Sequence, residues 1–413
     1  MAQHLGFDAA IPWTVRKAGG ADGRSEQNGT PWTANDGRSG VSNRIQGLFD
    51  LGQSVWCDNL SRRIVDSGEL RRLIDLGVVG VTSNPTIFMK AIAGSRDYDR
   101  AFQSLVETGE EDVLAIYERL VLPDIADAAD LLLPVYERTN RQDGYVSLEV
   151  NPRLAYDTRG TIDEAQRLFA ELDRPNVMIK VPATREGIPA VEALIAEGIS
   201  VNATLIFSVA MHERVMAAYL AGLKRLDARG GDLSTVASVA SFFVSRVDTM
   251  VDKLLEDRRA DGANVDGFFG KAAIANAVLA YERFLAVFAG SGDFGPLASR
   301  GARVQRPLWA STSTKNPAYP DTIYVDNLVG RHTVNTMPPQ TLEAALDHGS
   351  SHVTLGHGAA SAEQVMSQLG RLGIDMQAVT EQLLREGVDA FAGSFDELLA
   401  NLSAKQEQFR AVM

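Results

Sequence analysis

Short apolar runs rich in β-branched residues recur along this chain and alternate with longer segments whose apolar residues return every three or four positions. The short runs are almost continuously apolar, which is typical of parallel strands covered on both faces. The longer segments have the period of amphipathic helices. The pattern predicts strands near Ser54–Asp58, Val78–Ser83, Tyr145–Val150, Val177–Pro182, Ser200–Leu205, Val236–Val244, Pro307–Ser311 and Thr322–Asp326. It predicts helices at Glu69–Leu76, Asp112–Leu133, Thr161–Glu171, Gly187–Glu197 and Ser208–Leu226.

The regular alternation of strand and helix sets the expected fold class. Eight strands, each followed by helical sequence, predict an α/β protein built as a (β/α)₈ TIM-type barrel. A doubly wound open sheet is the main alternative, because strand counting separates the two folds poorly. The connections from Thr86 to Gly144 and from Arg246 to Arg303 are too long for one helix, so each is expected to contribute two. Helical sequence past Asn327 ends in Phe395–Phe409, and we expect this C-terminal tail to lie over the barrel mouth.

The chain divides by composition into two parts. From Ala18 to Ser42 it is rich in Gly, Asn, Ser, Asp and Arg and has almost no apolar periodicity, so it lacks the surface to stabilise a fold. We therefore expect residues 1–44 to be a flexible polar leader. Residues 45–413 are expected to form a single barrel domain with additional helices.

Charge and cysteine content limit the classes of partner. The chain has 40 basic and 53 acidic residues, and its net charge of −13 disfavours nucleic acid as a partner. A phosphorylated substrate would need a local cluster of cations. The longest apolar-rich stretch, Gly267 to Gly290, carries three charged residues, so no membrane partner is expected. The single cysteine, Cys57, and the lack of a secretory signal at the start indicate the cytoplasm.

One lysine interrupts a strand that is otherwise apolar, in the run Asn176-Val-Met-Ile-Lys180-Val-Pro182. Burial removes water from an ammonium group and favours the neutral amine, which can attack a carbonyl. Lys180 is therefore a candidate Schiff-base lysine. The alternative is a lysine that ends a strand and extends its ammonium to solvent, which this feature alone would favour.

Carboxylates at the ends of other strands change that balance. Asp58 ends one predicted strand and Glu149 lies near the end of another, and in a barrel these strand ends meet at one mouth. Two carboxylates beside an amine are sufficient for an aldol cleavage. Asn202 and Thr204 share one face of a further strand, where they could hold substrate hydroxyls or a water. Each polar residue alone could equally be structural.

Two other kinds of site have weak support. His348 and His352 lie four residues apart, with His357 beyond them, but Gly349 between them argues against a helical zinc site, and no metal is expected. The chain has no Walker or dinucleotide-type glycine loop, so no nucleotide cofactor is expected either.

Several ordered motifs together resemble the transaldolase family, and most closely its longer bacterial branch. They are Asp58-Asn-Leu60, Thr82-Ser-Asn-Pro-Thr86, Ser147-Leu-Glu-Val-Asn-Pro-Arg-Leu-Ala-Tyr-Asp-Thr158, Ile179-Lys-Val-Pro-Ala-Thr184 with Glu186-Gly-Ile188, and Gly198-Ile-Ser-Val-Asn-Ala-Thr-Leu-Ile-Phe-Ser208. The resemblance runs from about Ile45 to the C-terminus. It implies Lys180 as the Schiff-base lysine, Asp58 as acid/base, and Glu149 acting through a water held with Thr204.

The same resemblance implies a substrate site. Asn84 and Asn202 match positions that contact substrate hydroxyls, and Ser241 lies where the family lines its dihydroxyacetone pocket. Arg246 and Ser311 match phosphate-binding positions. The better-known branches place an arginine two residues after that serine, whereas this chain has Lys315 nearby. Lysine offers a point charge in place of a planar fork, so the phosphate geometry is expected to differ.

The implied activity is the transfer of a dihydroxyacetone unit between sugar phosphates in the pentose phosphate pathway, without a cofactor, by a monomer or homodimer. Sedoheptulose 7-phosphate and fructose 6-phosphate are the implied donors. Three alternatives stay open: an aldolase that releases dihydroxyacetone, a non-covalent sugar-phosphate-binding barrel, and a barrel isomerase. A rival assignment of Lys315 as the Schiff-base residue is disfavoured by its polar surroundings.

Overall fold

The computed structural model describes residues 43–289 and 292–411. Eight parallel strands close into a barrel in the order of the sequence, with β1 paired to β8. The strands are β1 Gln53–Cys57, β2 Val78–Thr82, β3 Tyr145–Glu149, β4 Val177–Pro182, β5 Val201–Ile206, β6 Ser238–Phe243, β7 Arg306–Ala310 and β8 Thr333–Met337. This arrangement confirms the (β/α)₈ barrel and excludes the open sheet.

Helices surround the barrel and connect its strands. Those described are α1 Arg44–Asp50, α2 Arg62–Asp66, α3 Glu69–Asp75, α4 Pro85–Ala93, α5 Asp99–Glu107, α6 Val113–Arg138, α7 Thr158–Leu172, α8 Gly187–Ala196, α9 Val209–Ala228, α10 Ser245–Ala260, α11 Ala272–Phe288, α12 Phe294–Ala298, α13 Ile323–Asn327, α14 Pro339–His348, α15 Ala359–Arg371 and α16 Met376–Arg410, with 3₁₀ turns at Pro152–Leu154 and Leu233–Thr235. Most of the predicted polar leader, residues 1–42, lies outside the described residues. The first helix begins at Arg44, capped by the side chain of Asn43.

The prediction of the eighth strand was wrong. Residues Thr322–Asp326 form most of the short helix α13, where Thr322 Oγ1 donates to Asp326 Oδ2 at 2.7 Å and stabilises the turn. The eighth strand is Thr333–Met337, whose Thr333 and Asn335 side chains are fully buried. Because of these polar residues, the strand is not recognised as an apolar run. The apolar residues Ile-Tyr-Val of α13, in contrast, resemble a strand in the hydrophobicity pattern.

The two long connections contain more helix than expected. The first holds α4, α5 and α6 and the second holds α10, α11 and α12, so each contributes three helices where two were predicted. The additional breaks fall at Gly94, which ends α4, and at the short helix α12, which is five residues long. Short helices give too few periodic positions to be recognised from sequence.

The C-terminal helix α16 lies over the barrel mouth, as predicted. Thr86 Oγ1 of α4 donates to Ser394 Oγ of α16 at 2.8 Å. A Cβ added at Gly387 would meet the Leu205 side chain of β5 at 3.0 Å, so the helix approaches the strand end closely. Phe391 of the same helix lies 5.8 Å from Lys180 Nζ, measured to its ring centroid.

The opposite end of the barrel is closed by a buried ionic network. Arg306 at the start of β7 pairs with Asp143 at 2.9 Å, and both side chains are buried. Asp143 also accepts hydrogen bonds from Ser54 Oγ and Trp56 Nε1 of β1. The Trp56 indole is packed so closely on Gly80 that a Cβ there would lie 2.5 Å from it. The network therefore joins β1, β7 and the segment before β3 across the barrel interior.

None of the helices in the described ranges has the length and apolar character that a membrane span requires.

Candidate active site

Strand register brings three of the predicted residues side by side. Glu149 of β3 is the pairing partner of Lys180 in β4, and Lys180 is in turn the partner of Asn202 in β5. Residues paired across parallel strands project to the same face of a sheet. The three side chains therefore share the barrel interior near its C-terminal end, where barrel enzymes carry their chemistry.

Lys180 is buried and tightly surrounded. Only 4% of the residue is exposed. Its Nζ donates to the Ser83 carbonyl oxygen at 3.1 Å and lies 3.4 Å from Glu149 Oε2. The Phe391 ring covers it on another side. The amine thus has one carbonyl, one carboxylate and one aromatic face as neighbours, and little contact with water.

Asp58 and Glu149 are carboxylates with altered acidity. Burial raises the pKa of Asp58 above its ordinary value, and the nearby charge of Lys180 opposes this only in part. Asp58 Oδ1 accepts a hydrogen bond from Thr82 Oγ1 at 2.6 Å. Burial likewise raises the pKa of Glu149 against the attraction of Lys180. Both groups are therefore better proton acceptors than exposed carboxylates.

Deeper in the barrel, a chain of polar side chains is held by hydrogen bonds. Ser241 Oγ donates to Asn202 Oδ1 at 2.6 Å, and Asn202 Nδ2 donates to Ser147 Oγ at 3.1 Å. Thr204 Oγ1 and Glu149 Oε1 are buried with no hydrogen-bond partner among the described side chains and backbone, and Glu149 Oε2 has only its ion pair with Lys180 at 3.4 Å. Buried polar atoms need partners, so these atoms are suited to bind a polar ligand or water.

Asn84 has a structural task as well as a place in the site. Its Oδ1 accepts from Ile87 N at 3.0 Å and caps the N-terminus of α4. The cap fixes the side chain beside the cavity and occupies its amide oxygen. Only the amide N–H groups are therefore left to meet a substrate hydroxyl.

A cavity of about 350 Å³ opens at the barrel mouth. This volume is in the range of sites for small ligands. Of the predicted site residues, the lining includes Asp58, Asn84, Lys180, Ser241, Arg246, Ser311 and Lys315. Glu149, Asn202 and Thr204 are buried and are not part of the lining.

Three cations gather at one side of this cavity: Arg246, Lys315 and Lys90. Desolvation lowers the pKa of Lys315, and the positive charges of Arg246 and Lys90 lower it further. The three cations are therefore close enough to repel one another electrostatically. Lys315 Nζ donates to Ser313 Oγ at 2.6 Å, which holds it at the cavity edge. Such a concentration of positive charge in an acidic protein is suited to an anionic group.

Ser311 joins two elements at the same place. Its Oγ lies 2.9 Å from Ser245 Oγ, and its carbonyl accepts from Ser245 N at 3.0 Å, one residue before Arg246. The backbone φ of Ser311 is +55°, a left-handed conformation that non-glycine residues adopt at some cost. The strained residue ties the loop after β7 to the start of α10.

Sequence reasoning missed Lys90 and Phe391. Lys90 follows Ile87 by one helical turn on α4, and both line the cavity, so correct placement of α4 would have drawn attention to it. Phe391 gives no such signal, because its contact with Lys180 joins residues far apart in the chain.

The histidine cluster does not form a site in the described part of the chain. Residues 43–289 and 292–411 contain no group of three His, Cys, Asp or Glu side chains arranged to hold a metal ion. His348 instead contacts Asp321 at 2.8 Å and Asp347 at 3.0 Å. Cys57 is buried, and burial raises the pKa of its thiol to about 12, so it is an unreactive packing group.

Comparison with known proteins adds an independent line of observation. The family model described as Transaldolase/Fructose-6-phosphate aldolase matches residues 55–402. A protein named Transaldolase from Saccharopolyspora erythraea is 50% identical over 373 residues, covering 89% of this chain and 99% of its own. Transaldolase 2 of Nostoc sp. is 46% identical and covers 88% of this chain and 97% of its own. Transaldolase of Trichodesmium erythraeum is 44% identical over 381 residues, covering 90% of this chain and 100% of its own.

Proposed function

This chain belongs to the transaldolase/fructose-6-phosphate aldolase family, and from that membership and its site we infer that it is a transaldolase. It is a transferase that moves a dihydroxyacetone unit between sugar phosphates, the usual role being in the pentose phosphate pathway. The observation that carries the assignment of residues is a buried amine, Lys180 Nζ, lying 3.4 Å from the Glu149 carboxylate below a cavity rimmed by cations.

The proposed cycle begins at Lys180. Its neutral amine attacks the C2 carbonyl of the ketose phosphate and forms a carbinolamine. Glu149, acting through a water held with Thr204, delivers the proton that lets the C2 hydroxyl leave as water. An iminium ion results, and its positive nitrogen is the electron sink for the next step. The raised pKa of Glu149 supports this role, because such a carboxyl can hold and release a proton closer to neutral pH.

Carbon–carbon cleavage follows at Asp58. Its carboxylate removes the proton of the C4 hydroxyl, the C3–C4 bond breaks, and the bonding electrons move into the iminium. The first aldose phosphate leaves and a three-carbon enamine stays on Lys180. A second aldose phosphate then accepts C3 of the enamine by the reverse path. The raised pKa of Asp58 supports its use as a base for a hydroxyl.

Binding residues are proposed for the two ends of the substrate. Ser241, Asn202 and Asn84 would hold the hydroxyls of the dihydroxyacetone half, and the hydrogen bond between Ser241 and Asn202 supports their joint action. Arg246, Lys315 and Ser311 would hold the phosphate. Lys90, at the same rim, is added to this group because it lies within electrostatic reach of Lys315.

We propose that the protein works in the cytoplasm as a monomer or homodimer. The single buried cysteine supports a reducing compartment. Sedimentation of the purified protein and fractionation of cells would test the two statements separately.

An aldolase that releases dihydroxyacetone is the second candidate, since the matching family model covers both activities. A turnover assay separates the candidates. With sedoheptulose 7-phosphate and glyceraldehyde 3-phosphate, the protein should form erythrose 4-phosphate and fructose 6-phosphate in equal amounts. Lys180→Ala should lower turnover by roughly 10⁴-fold or more, as loss of a covalent nucleophile does.

The matched control is Lys253→Ala, an exposed lysine on α10. It should keep the turnover of the unaltered protein. Full activity in Lys180→Ala, or free dihydroxyacetone as the main product, would overturn the proposal.

A further inference from the structure

One aromatic ring from the C-terminal helix covers the amine at the centre of the site. The Phe391 ring centroid lies 5.8 Å from Lys180 Nζ, within the range of a cation–π contact. Phe391 lines the substrate cavity and is only 5% exposed. It therefore occupies space that water would otherwise fill next to the amine.

The helix that carries this ring is held by contacts within about one turn beyond it. Arg153 pairs with Asp396 at 2.6 Å, and Thr86 Oγ1 donates to Ser394 Oγ at 2.8 Å. One turn beyond Phe391, Phe395 packs edge-on against Tyr117 with ring centroids 5.3 Å apart. These contacts hold the part of α16 next to Phe391 in place over the site.

The position of the Phe391 ring matters because the enamine formed on Lys180 can react in two ways. In the cycle proposed above, C3 of the enamine is a carbon nucleophile. Attack on an aldehyde forms a new C–C bond and completes transfer. Protonation of C3 instead gives the iminium of dihydroxyacetone, and water then hydrolyses the C=N bond, so that Lys180 and free dihydroxyacetone are released. Water near Lys180 promotes the second path.

We propose that Phe391 is a specificity-determining residue that keeps water from the enamine and so sets the ratio of transfer to release. This inference rests on the proposed Schiff-base function of Lys180. The ring excludes water from the amine, and its π face favours the cationic iminium. It takes no proton and forms no bond with the substrate. The C-terminal helix is thus part of what makes the barrel a transferase and not a lyase.

The experiment measures both products with fructose 6-phosphate as the donor. Dihydroxyacetone release is followed without acceptor, and transfer is followed with erythrose 4-phosphate. In Phe391→Ala the ratio of release to transfer should rise about tenfold or more, because the lost ring admits water to the enamine. Phe391→Leu keeps an apolar side chain and should show a smaller rise.

Phe395→Ala is the matched control, since Phe395 is on the same helix, is equally buried, and faces Tyr117 instead of Lys180. It should lower thermal stability about as much as Phe391→Ala does and leave the product ratio unchanged. This comparison separates a local effect at the amine from general loosening of α16. If Phe391→Ala does not fold, the ratio in Phe391→Leu decides.

Two results would overturn the inference while the proposed function stands: an unchanged ratio in both Phe391 variants, or an equal rise in Phe395→Ala. Failure of the proposed function has a different signature. The unaltered protein would then show no transfer to erythrose 4-phosphate, and a protein without Schiff-base chemistry would also give no borohydride-trapped adduct.

Discussion

At the scale of single residues, burial is the main cause of reactivity in this site. Lys180, Asp58 and Glu149 lie in one poorly hydrated region, and desolvation is the largest influence on the pKa of both carboxyl groups. A carboxylate whose pKa is raised by folding destabilises the native state when it is ionised. The same burial that makes these carboxylates basic is therefore expected to lower the stability of the folded protein at neutral pH.

Asp58→Asn tests this trade-off. The folded-state pKa of Asp58 lies above its unfolded value, so the native state binds more protons and becomes less stable as pH rises through that interval. The neutral amide removes the penalty. At pH 8 the variant should be more stable than the original protein, because the raised pKa of Asp58 makes its ionised form costly in the native state. Its turnover should fall by about 10²–10⁴-fold, as expected for a lost general base.

Thermal unfolding at pH 8 and pH 4 provides the measurement. The gain should shrink at pH 4, because the penalty of Asp58 disappears as the pH falls toward the pKa of an unfolded aspartate. Asp257→Asn, at an exposed position of α10, serves as the control and should change neither stability nor turnover. A variant at position 58 that is less stable than the original protein at pH 8 would contradict the account.

Lys90 supports a second prediction at this scale. It lies at the cavity rim near Lys315 and Arg246, and an exposed cation beside two others adds modest attraction for a phosphate. Lys90→Gln should raise KM for erythrose 4-phosphate by roughly three- to tenfold, with kcat nearly unchanged. Steady-state kinetics with unphosphorylated glyceraldehyde as acceptor should show no such change.

Lys253→Gln, which removes an exposed lysine away from the cavity, is the control for total charge. Equal effects of Lys90→Gln on phosphorylated and unphosphorylated acceptors would show that Lys90 does not bind the phosphate.

Sequence reasoning pointed to the residues around Lys180 and to part of the rim, and it overlooked Lys90 and Phe391. Lys180 and Glu149 stand out because they interrupt buried strands, and register alone then makes them neighbours. Lys90 lies on a helix whose position was not predicted, and a lysine on a helix is unremarkable. Phe391 could not be predicted for a different reason. An aromatic residue on an amphipathic helix indicates that the position is buried, but it does not indicate which group the ring covers.

At the scale of elements, polar residues at buried positions limit how well a hydrophobicity pattern can identify a strand. Strand β8 carries Asn335 and Thr333, which are buried on the face of the strand turned away from the barrel interior, and it was missed in favour of the apolar helix α13. The other strands were predicted within a few residues because both of their faces are mostly apolar. The predicted number of eight strands matches the barrel, although one of the predicted strands was wrong.

The ionic network at the base of the barrel provides an element-scale prediction. Asp143 accepts from Arg306, Ser54 and Trp56, and so connects β1 and β7 with the segment before β3. Asp143→Ala would leave a buried guanidinium without its partner and should cost about 3–5 kcal/mol of the free energy of unfolding. Urea unfolding measures this loss.

Replacing both charged partners, as in Asp143→Leu with Arg306→Met, should recover part of the loss, because no unpaired charge then remains buried. Turnover of the folded fraction should be unchanged in both variants, since the network lies at the end of the barrel opposite Lys180. A single variant as stable as the original protein would show that the network does not support the fold.

At the scale of the whole molecule, the barrel separates stability from chemistry. The base holds strands together through Arg306 and Asp143, while the mouth gathers Lys180, two carboxylates and three cations below α16. The net charge of −13 would repel phosphorylated sugars. The cations at the cavity rim reverse this effect locally, at the entrance to the site. Folding brings these groups together from β1, β3, β4, α4, α10 and the loop after β7.

The most direct test of this account is to trap the covalent intermediate. The protein is incubated with fructose 6-phosphate without acceptor, reduced with borohydride, digested and mapped by mass spectrometry. We predict a reduced three-carbon adduct on the peptide that contains Lys180, and none on those containing Lys90 or Lys315. An adduct at Lys315, or no adduct at any lysine, would contradict the assignment.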